Sequence, residues 1–353
     1  MMHAMRQRLN RIRIRLMDAA GGYPAPMDVV SDAISAVHLG HPSSHRVRAA
    51  GAWSARSEPY DGAACYVVLS GGCRLLPDGG APVQLGAGDA VLLPHGTGHV
   101  ITGTAAGPAG PRAAAVPFAR WLATAEPATG PVRPGSGDGG TELLCGTYWL
   151  DCSGLHPLLR ELPDVVHLPA RVGGHPELRA AIDLLAGELD TRRPGSCAAL
   201  PSLLDLLLVY LVRAWLTEAT GDRWPRALGD PVTAAALRAL HADPAAPWST
   251  ERLAREAGVS RATLTRRFTT LVGRPPMGYL TWWRLILAAT RLRDTTDTLA
   301  AVAGHVGYGS PYALSHAFAR EFGTTPGRYR VRAAERATTL ARPRPEPGSG
   351  HPR

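Results

Sequence analysis

The stretch Leu253-Ala254-Arg255-Glu256-Ala257-Gly258 opens a repeat that occupies residues 249–330. The first copy continues with Leu264, Phe268, Gly273, Pro276 and Tyr279, and the second copy contains Leu299, Ala300, Ala303, Gly304, Leu314, Phe318, Gly323, Pro326 and Tyr329. The offset between matched letters is 46 residues in the first half and 50 in the second, which predicts a four-residue insertion near His305 to Gly309. Similarity at a nearly fixed offset indicates a duplicated structural unit.

Each copy has the pattern of two helices joined by a tight turn. Gly258 can adopt the left-handed backbone of such a turn, and Ser260 and Ser310 are suitable N-caps for the second helices. Each second helix has two large apolar residues four positions apart, which places them on one buried face. These pairs are Leu264 with Phe268 and Leu314 with Phe318. The opposite face stays polar, and a helix-turn-helix inserts such a face into the major groove of DNA.

A helix predicted over residues 277–293 connects the two copies. It would be about 24 Å long. Neighbouring major-groove faces of DNA lie roughly 34 Å apart, so this helix and its turns could set two recognition helices at that spacing.

The repeat resembles the AraC/XylS family of transcription regulators over residues 231–330. The resemblance rests on the segments Leu253-Ala254-Arg255-Glu256-Ala257-Gly258, Arg267-Phe268, Gly273-Arg274-Pro275-Pro276, Gly307-Tyr308, Phe322-Gly323 and Pro326-Gly327-Arg328-Tyr329-Arg330. By this resemblance, the base-facing positions are Arg261, Ala262, Thr265 and Arg266 in the first unit, and Pro311, Tyr312, Ser315 and His316 in the second. Arg267 is expected at the DNA as well, bound to phosphate or to a helix end rather than to a base.

The region from Met27 to Pro117 has the signals of β structure. Short apolar runs such as residues 65–69 and 90–93 alternate with glycine-rich turns, which predicts a sandwich or small barrel. Residues 127–140 are rich in Pro, Gly and Ser and are predicted to be a linker or loop. A further strand is expected over residues 141–150 and a short helix over residues 156–162.

The spacing of Gly88-Asp89, Pro94, Gly96 and His99 resembles the second motif of the cupin barrel, in which the histidine binds a metal. The first cupin motif would supply two histidines and a glutamate near residues 62–70, and the sequence there contains neither. Catalytic metal sites usually need three protein ligands, so no metal and no cofactor are expected. Two interpretations of His99 remain: a histidine that is structural, in the turn or the core, or a polar contact to a small effector. For the second, His99, Tyr66, His45 and Cys65 are the candidate residues of the pocket.

Cysteines raise a second hypothesis for sensing. Cys65 and Cys73 could face each other across a hairpin, and Cys145 and Cys152 are seven residues apart. These four are candidates for a redox sensor, although buried, unreactive thiols are the default.

Two helices follow, over residues 176–189 and 203–218. The second is apolar nearly all round, which indicates burial against another helix, and a second subunit would supply one. The predicted fold class is α+β, with a cupin-like β-barrel, a helical dimerisation or relay region, and a C-terminal all-α domain. The expected boundaries are a basic, disordered extension at 1–26, a sensor domain at 27–170, the helical region at 171–225, the double helix-turn-helix at 226–330 and a disordered tail at 331–353.

The charge is concentrated in the C-terminal part of the chain. The net charge is +9, and residues 248–330 contain twelve arginines against five acidic residues, which is typical of a nucleic-acid binder. Every basic residue is arginine, as a GC-rich genome would encode, so no single arginine identifies a phosphate contact. No apolar run reaches the roughly 18 residues of a membrane span, and no export signal is evident. A cytoplasmic protein is therefore expected.

The leading hypothesis is a homodimeric, non-enzymatic regulator that binds double-stranded promoter DNA and recruits or blocks RNA polymerase in response to a small molecule or stress. The alternatives are a metal-dependent cupin oxygenase or isomerase fused to a DNA-binding domain, and a DNA-repair protein with a methyl-accepting cysteine. The missing metal ligands argue against the first, and the absence of an activated-cysteine motif argues against the second.

Overall fold

The computed structural model describes residues 28–104, 115–127, 140–150, 155–191, 193–219 and 221–341, without the side chains of residues 37–41 and 337–341. They form two compact units. The barrel unit comprises residues 37–225, and the helical unit combines residues up to Ala36 with those from Arg226 onward. The chain thus leaves the helical unit after Ala36 and re-enters it at Arg226.

The barrel unit consists of two sheets. Its strands are β1 His38–Ala49, β2 Ser54–Ser57, β3 Gly62–Ser70, β4 Gly72–Pro77, β5 Val83–Gly86, β6 Ala90–Leu93, β7 His99–Gly103, β8 Val116–Pro117, β9 Glu126–Pro127, β10 Thr141–Leu150 and β11 Val166–Leu168. Over the described residues, one sheet has the order β11-β6-β3-β10-β1-β9 and the other the order β5-β4-β7-β2-β8. Nearly all strand pairs are antiparallel, and the predicted cupin-like barrel is confirmed.

The two sheets enclose an apolar core between their inner faces. Successive side chains of a strand point to opposite faces, so Tyr66 and Val68 face this core while Cys65 and Val67 face away from it. The turn before β6 is held by Asp89, whose carboxylate accepts hydrogen bonds from the amides of Gly86 (3.0 Å) and Ala170 (2.7 Å). Gly88 adopts a φ of +89° there, as the sequence predicts for a turn into a strand.

Helices cover the outer face of the larger sheet. They are α4 Pro176–Thr191 and α5 Ser196–Glu218, whereas the short helix α3 Pro157–Glu161 precedes β11 and α2 Phe118–Thr124 packs on the core between the sheets. The Tyr148 hydroxyl donates to the Leu204 carbonyl of α5 at 2.8 Å. Gly146 leaves room for this helix, because a Cβ there would lie 3.1 Å from Leu204 Cδ2, and it would also lie 2.6 Å from the Cys65 sulfur. Buried Arg46 pairs with buried Glu142 at 2.6 Å on the same face.

Helix α5 is long and apolar enough, by length and composition alone, to cross a membrane. The core helix of a soluble protein passes the same test. Here Leu204, Leu207 and Leu211 are buried in the barrel unit, whereas Leu206 on α5 and Leu184 on α4 are exposed. The helix begins seven residues earlier than predicted and includes Pro201 in its first turns.

The helical unit contains the predicted C-terminal helices. They are α6 Arg223–Gly229, which crosses the boundary between the units, α7 Pro231–Ala242, α8 Thr250–Glu256, α9 Arg261–Val272, α10 Pro276–Asp294, α11 Leu299–His305, α12 Pro311–Phe322 and α13 Pro326–Ala341. Residues 331–341 were expected in a disordered tail, yet they continue α13. Pro326 and Tyr329 hold its first turns against the unit, with Tyr329 packed on Phe318 and Phe322.

The register predicted for the first half of the repeat is wrong. In the structure, the N-caps Ser249 and Thr298 correspond, and the buried pair Leu253-Ala254 corresponds to Val302-Ala303, an offset of 49 residues. The left-handed glycines of the two turns are Gly258 (φ +66°) and Gly307 (φ +79°), whereas Gly304 lies inside α11. A single extra residue in the second turn therefore replaces the predicted four-residue insertion. The predicted 46-residue offset matched the buried Ala254 with the exposed Ala300.

The helical unit also includes an N-terminal helix, α1 Val29–Val37, where the sequence analysis expected only β structure. Buried Asp32 of α1 accepts a hydrogen bond from His241 Nδ1 of α7 at 2.6 Å, and His241 Nε2 lies 2.7 Å from the hydroxyl of Tyr279 on α10. Thr290 and Arg293 of α10 donate to the carbonyl of Ala36. Residues 28–36 therefore pack with the C-terminal helices, although the sequence analysis assigned them to the sensor domain.

Candidate functional site

The second helix of the first helix-turn-helix is α9. The Ser260 hydroxyl accepts a hydrogen bond from the Thr263 amide at 3.2 Å and caps it, and Leu264 and Phe268 are buried as predicted. The predicted DNA-binding residues occupy the other face. Arg261, Ala262, Arg266 and Arg267 are exposed, and Thr265 is partly exposed.

The arginines of α9 differ in their partners. Arg261 forms an exposed ion pair with Glu251 at 2.8 Å, and Arg267 contacts Asp230, the N-cap of α7, at 3.3 Å. Arg267 therefore binds a helix end, one of the two roles expected for it. Among the described residues, Arg266 has no ion-pair partner, which leaves its guanidinium available to a ligand.

The second helix-turn-helix presents α12 in the same way. The Ser310 hydroxyl accepts from the Ala313 amide at 3.1 Å, Pro311 occupies the first turn, and Leu314 and Phe318 are buried. The predicted base-facing residues Pro311, Tyr312 and His316 are exposed, and Ser315 is partly exposed. Tyr312 has a relative exposure of 82%, so a large apolar ring projects into solvent at the start of the helix.

The linking helix α10 and both helix-turn-helix motifs meet at the loop around Ala245. Arg284 donates to the carbonyls of Pro244 (2.6 Å) and Ala246 (2.8 Å), which flank Ala245 in the loop before the first unit. Gly307, in the turn of the second unit, lies against this same residue, since a Cβ on it would be 2.7 Å from the Ala245 Cα and carbonyl oxygen. The loop at Ala245 thus contacts both the linking helix and the second unit.

The barrel interior contains a hydrogen-bonded pair of predicted pocket residues. His99 Nδ1 lies 2.8 Å from the Thr97 carbonyl, to which it donates, and its Nε2 accepts from the Tyr66 hydroxyl at 2.7 Å. Phe118 packs edge-on against Tyr66, with 5.9 Å between the ring centroids, and Trp121 stacks on Trp53 at 5.0 Å. Both nitrogens of His99 are therefore engaged within the protein, in an aromatic surrounding that the sequence analysis did not identify.

The other two predicted pocket residues lie elsewhere. His45 of β1 is paired with Cys145 of β10, and Cys145 is paired with Tyr66 of β3, so the three residues are on the same face of the sheet. His45 is nevertheless exposed to solvent. Cys65 is on the opposite face of β3 from Tyr66 and approaches the Tyr148 hydroxyl at 4.0 Å. The prediction that Cys65 lines a pocket with Tyr66 is therefore wrong, because neighbouring residues of a strand face opposite sides.

The three buried cysteines in the described part of the barrel unit are poor redox centres. Cys65 and Cys73 belong to different sheets rather than to one hairpin, so the predicted pairing across a hairpin is wrong. Burial raises the pKa of both thiols to about 12 and that of Cys145 well above its usual range, which disfavours the reactive thiolate. Cys152 lies outside the described residues. Cys197, which is not among the predicted redox candidates, is exposed. The described residues include no metal-binding cluster of His, Cys, Asp or Glu.

Acidification is expected to destabilise the barrel unit through His99. Burial lowers the pKa of His99 below its ordinary value of 6.5, so between these values the unfolded chain binds the proton more readily than the folded protein. The free energy of unfolding should stay level above about pH 6.5 and fall as pH drops toward the lowered pKa. Urea unfolding at several pH values measures this slope. His99→Gln should flatten it, and an unchanged slope in that variant would assign the effect to other groups.

Comparison with known proteins gives consistent matches for both units. A family model described as a cupin matches residues 28–217, and one described as a helix-turn-helix domain matches residues 253–332. A putative AraC-like transcription regulator of Streptomyces lividans is 36% identical over 307 residues, covering 86% of this chain and 98% of the relative. A similarly described protein of Streptomyces antibioticus is 35% identical over the same shares. The crystal structure of the AdpA DNA-binding domain with target DNA is 34% identical over 30% of this chain and 96% of that chain, with a TM-score of 0.29.

Proposed function

The chain belongs to the family of AraC-like transcription regulators, and from this premise we propose which residues read promoter DNA and what the barrel unit does. The observation that supports the assignment of residues is the pair of capped helices, α9 and α12, that bury an apolar face and expose a polar one. A helix-turn-helix places the N-terminal part of such a helix against base edges in the major groove.

In the first unit, Arg261, Ala262, Thr265 and Arg266 contact bases. Arg266 has an unpaired guanidinium that suits the bidentate acceptor pair of a guanine, and Ala262 suits a thymine methyl group. Arg261 exchanges its partner Glu251 for DNA. Arg267 remains at the end of α7 or contacts a neighbouring phosphate, and it positions the helix rather than reading sequence.

In the second unit, Pro311, Tyr312, Ser315 and His316 face DNA. Pro311 and the exposed ring of Tyr312 offer mainly apolar contact, and Ser315 and His316 offer short polar groups. We expect this unit to discriminate less strongly between bases than the first, because no arginine occupies its base-facing positions.

Arg266→Ala is expected to relax the preference for one base pair by about 1–3 kcal/mol while leaving preferences elsewhere in the site intact. The preferred sequence is first selected from random DNA with the full chain, and affinities for its single-base variants are then measured. Arg255→Ala, at an exposed arginine of α8 in the same unit, is the matched control for lost charge. If Arg266→Ala weakened binding equally at every sequence, Arg266 would be a phosphate contact.

The barrel unit acts as the sensor in this proposal. A small effector would bind its interior near Tyr66 and His99, with the rings of Phe118 and Trp121 as apolar contacts. The helices α4 and α5 form a homodimer interface, for which the exposed Leu184 and Leu206 supply apolar surface. The DNA-bound protein then recruits or blocks RNA polymerase in the cytoplasm, without catalysis of its own.

A further inference from the structure

The last helix, α13, exposes a line of arginines that the proposed base contacts do not use. Arg328, Arg332 and Arg336 follow one another at intervals of four residues, which places them on one face of the helix. All three side chains are exposed. Successive members are about 6 Å apart along the helix axis, so the three charges extend over about 12 Å. We refer to these three residues as the basic stripe.

The basic stripe differs from the other arginines nearby in having no acidic partner. Arg291 pairs with Asp297, and Arg293 pairs with Asp294. Arg330, between the members of the stripe, points to the other side of α13 and donates to the carbonyls of Leu292 and Asp297, which fixes the helix to the unit. Within the described part of the chain, no carboxylate or carbonyl accepts from the side chains of the stripe.

The position of α13 connects the stripe with the proposed DNA surface. Tyr329, next to Arg328, packs its ring against Phe318 and Phe322 of α12, with 5.4 and 5.8 Å between ring centroids. Helix α13, which carries the basic stripe, therefore packs directly against α12, the second recognition helix. Tyr329 and Phe318 belong to one apolar cluster, so the stripe lies on a helix that is fixed to α12.

We propose that the basic stripe binds the phosphate backbone of the DNA next to the second helix-turn-helix. A guanidinium matches a phosphate with two parallel hydrogen bonds. Phosphates of one strand advance about 3.4 Å along the duplex axis, so the 12 Å length of the stripe corresponds to three or four of them. These contacts supply affinity without sequence preference, which would compensate for the short polar groups at the base-facing positions of α12. The proposal rests on DNA binding by this chain.

The test replaces Arg328, Arg332 and Arg336 together by glutamine in the full chain and measures the salt dependence of binding to the preferred DNA. Each phosphate contact contributes about 0.9 to the slope of log affinity against log salt. Loss of the stripe should therefore reduce the magnitude of the slope by about 2 to 3, and the order of preference among base variants should not change. The corresponding triple lysine variant should keep most of the slope, because the charges remain.

A charge-matched control separates local contact from net charge. Arg120, Arg160 and Arg193 are exposed arginines of the barrel unit, and their triple glutamine variant changes the net charge by the same amount. If both glutamine triples lowered the slope equally, or neither did, the stripe would not be a phosphate-binding surface. A changed base preference in the α13 variant would also overturn the proposal. If the unaltered chain showed no sequence preference at all, the DNA-reading function itself would fail, which is a distinct result.

Discussion

Asp32→Ala is expected to lower the free energy of unfolding of the helical unit by about 1–3 kcal/mol, the usual cost of leaving a buried hydrogen-bonding group without its partner. Asp32 accepts from His241 Nδ1 at 2.6 Å, and His241 Nε2 lies 2.7 Å from the Tyr279 hydroxyl. All three side chains are buried, and the imidazole also stacks on Trp283 with 4.6 Å between ring centroids. Without the carboxylate, the Nδ1 atom of His241 would lose its partner in a place that water does not reach.

Hydrogen exchange in the full chain measures this effect locally. Amides of α7 and α10 should exchange faster in Asp32→Ala, while those of the barrel strands should not change. Ser35→Ala is the matched control, since Ser35 lies on the exposed side of the same helix and its loss should change stability by less than about 0.5 kcal/mol. Equal exchange in the two variants would mean that the hydrogen bond between Asp32 and His241 does not stabilise the helical unit.

Gly307→Ala is expected to destabilise the same unit by about 2–5 kcal/mol, from two separate causes. The left-handed backbone of Gly307, with φ at +79°, costs an L-residue roughly 1–2 kcal/mol. The added Cβ would also lie 2.7 Å from the backbone of Ala245, and such overpacking typically costs about 1–3 kcal/mol. Because Arg284 holds the carbonyls on either side of Ala245, the loop cannot easily move away.

The repeat itself supplies the control for Gly307→Ala. Gly258 occupies the equivalent turn of the first unit with a φ of +66°, but nothing lies within 4 Å of a Cβ placed there. Gly258→Ala should therefore show only the backbone cost, of about 1–2 kcal/mol. Thermal unfolding of the full chain compares the two variants. Equal losses of stability in the two variants would show that the contact between the added Cβ and Ala245 has no cost of its own.

The sequence was sufficient for the fold class and for the exposed faces of the second helices. Strand β10 begins and ends at the predicted residues, and the caps Ser260 and Ser310 and the buried pairs behind them are confirmed. These features depend on local spacing and capping chemistry, which a sequence displays directly. The base-facing roles of the exposed residues stay predictions, because exposure alone does not identify a ligand.

Matching letters was not sufficient for the register of the first half of the repeat. Leu299 and Ala300 repeat the letters of Leu253 and Ala254, yet the buried equivalents of that pair are Val302 and Ala303. Equivalent positions in the two copies share the apolar volume that they bury and the left-handed backbone of the turn glycine. They do not need to share the same residue. Aligning the capping residues Ser249 and Thr298 would have found the 49-residue offset.

The N-terminal helix α1 was missed because it is short and lies far in sequence from the helices that it contacts. Its signals are visible in retrospect: Asp28 accepts hydrogen bonds from the amides of Val30 and Ser31 and caps the helix, and Val30, Ala33 and Ile34 follow helical spacing. No local pattern indicates that Asp32 pairs with His241, 209 residues away. The alternation of side chains along a strand is enough to place Cys65 and Tyr66 on opposite faces of β3. It does not indicate that His45 is exposed.

The route of the chain through the helical unit has a consequence for recombination between regulators. Since residues 28–36 and those from Arg226 onward belong to one unit, the barrel unit is an insertion within the helical unit, with one junction at each end. A single crossover near residue 226 would leave the first helix of the DNA reader attached to a foreign sensor, with Asp32 replaced by whatever that sensor encodes. A functional exchange of specificities would instead transfer residues 37–225 as a cassette with two junctions, and natural hybrids should have inherited both ends of the reader from the same parent.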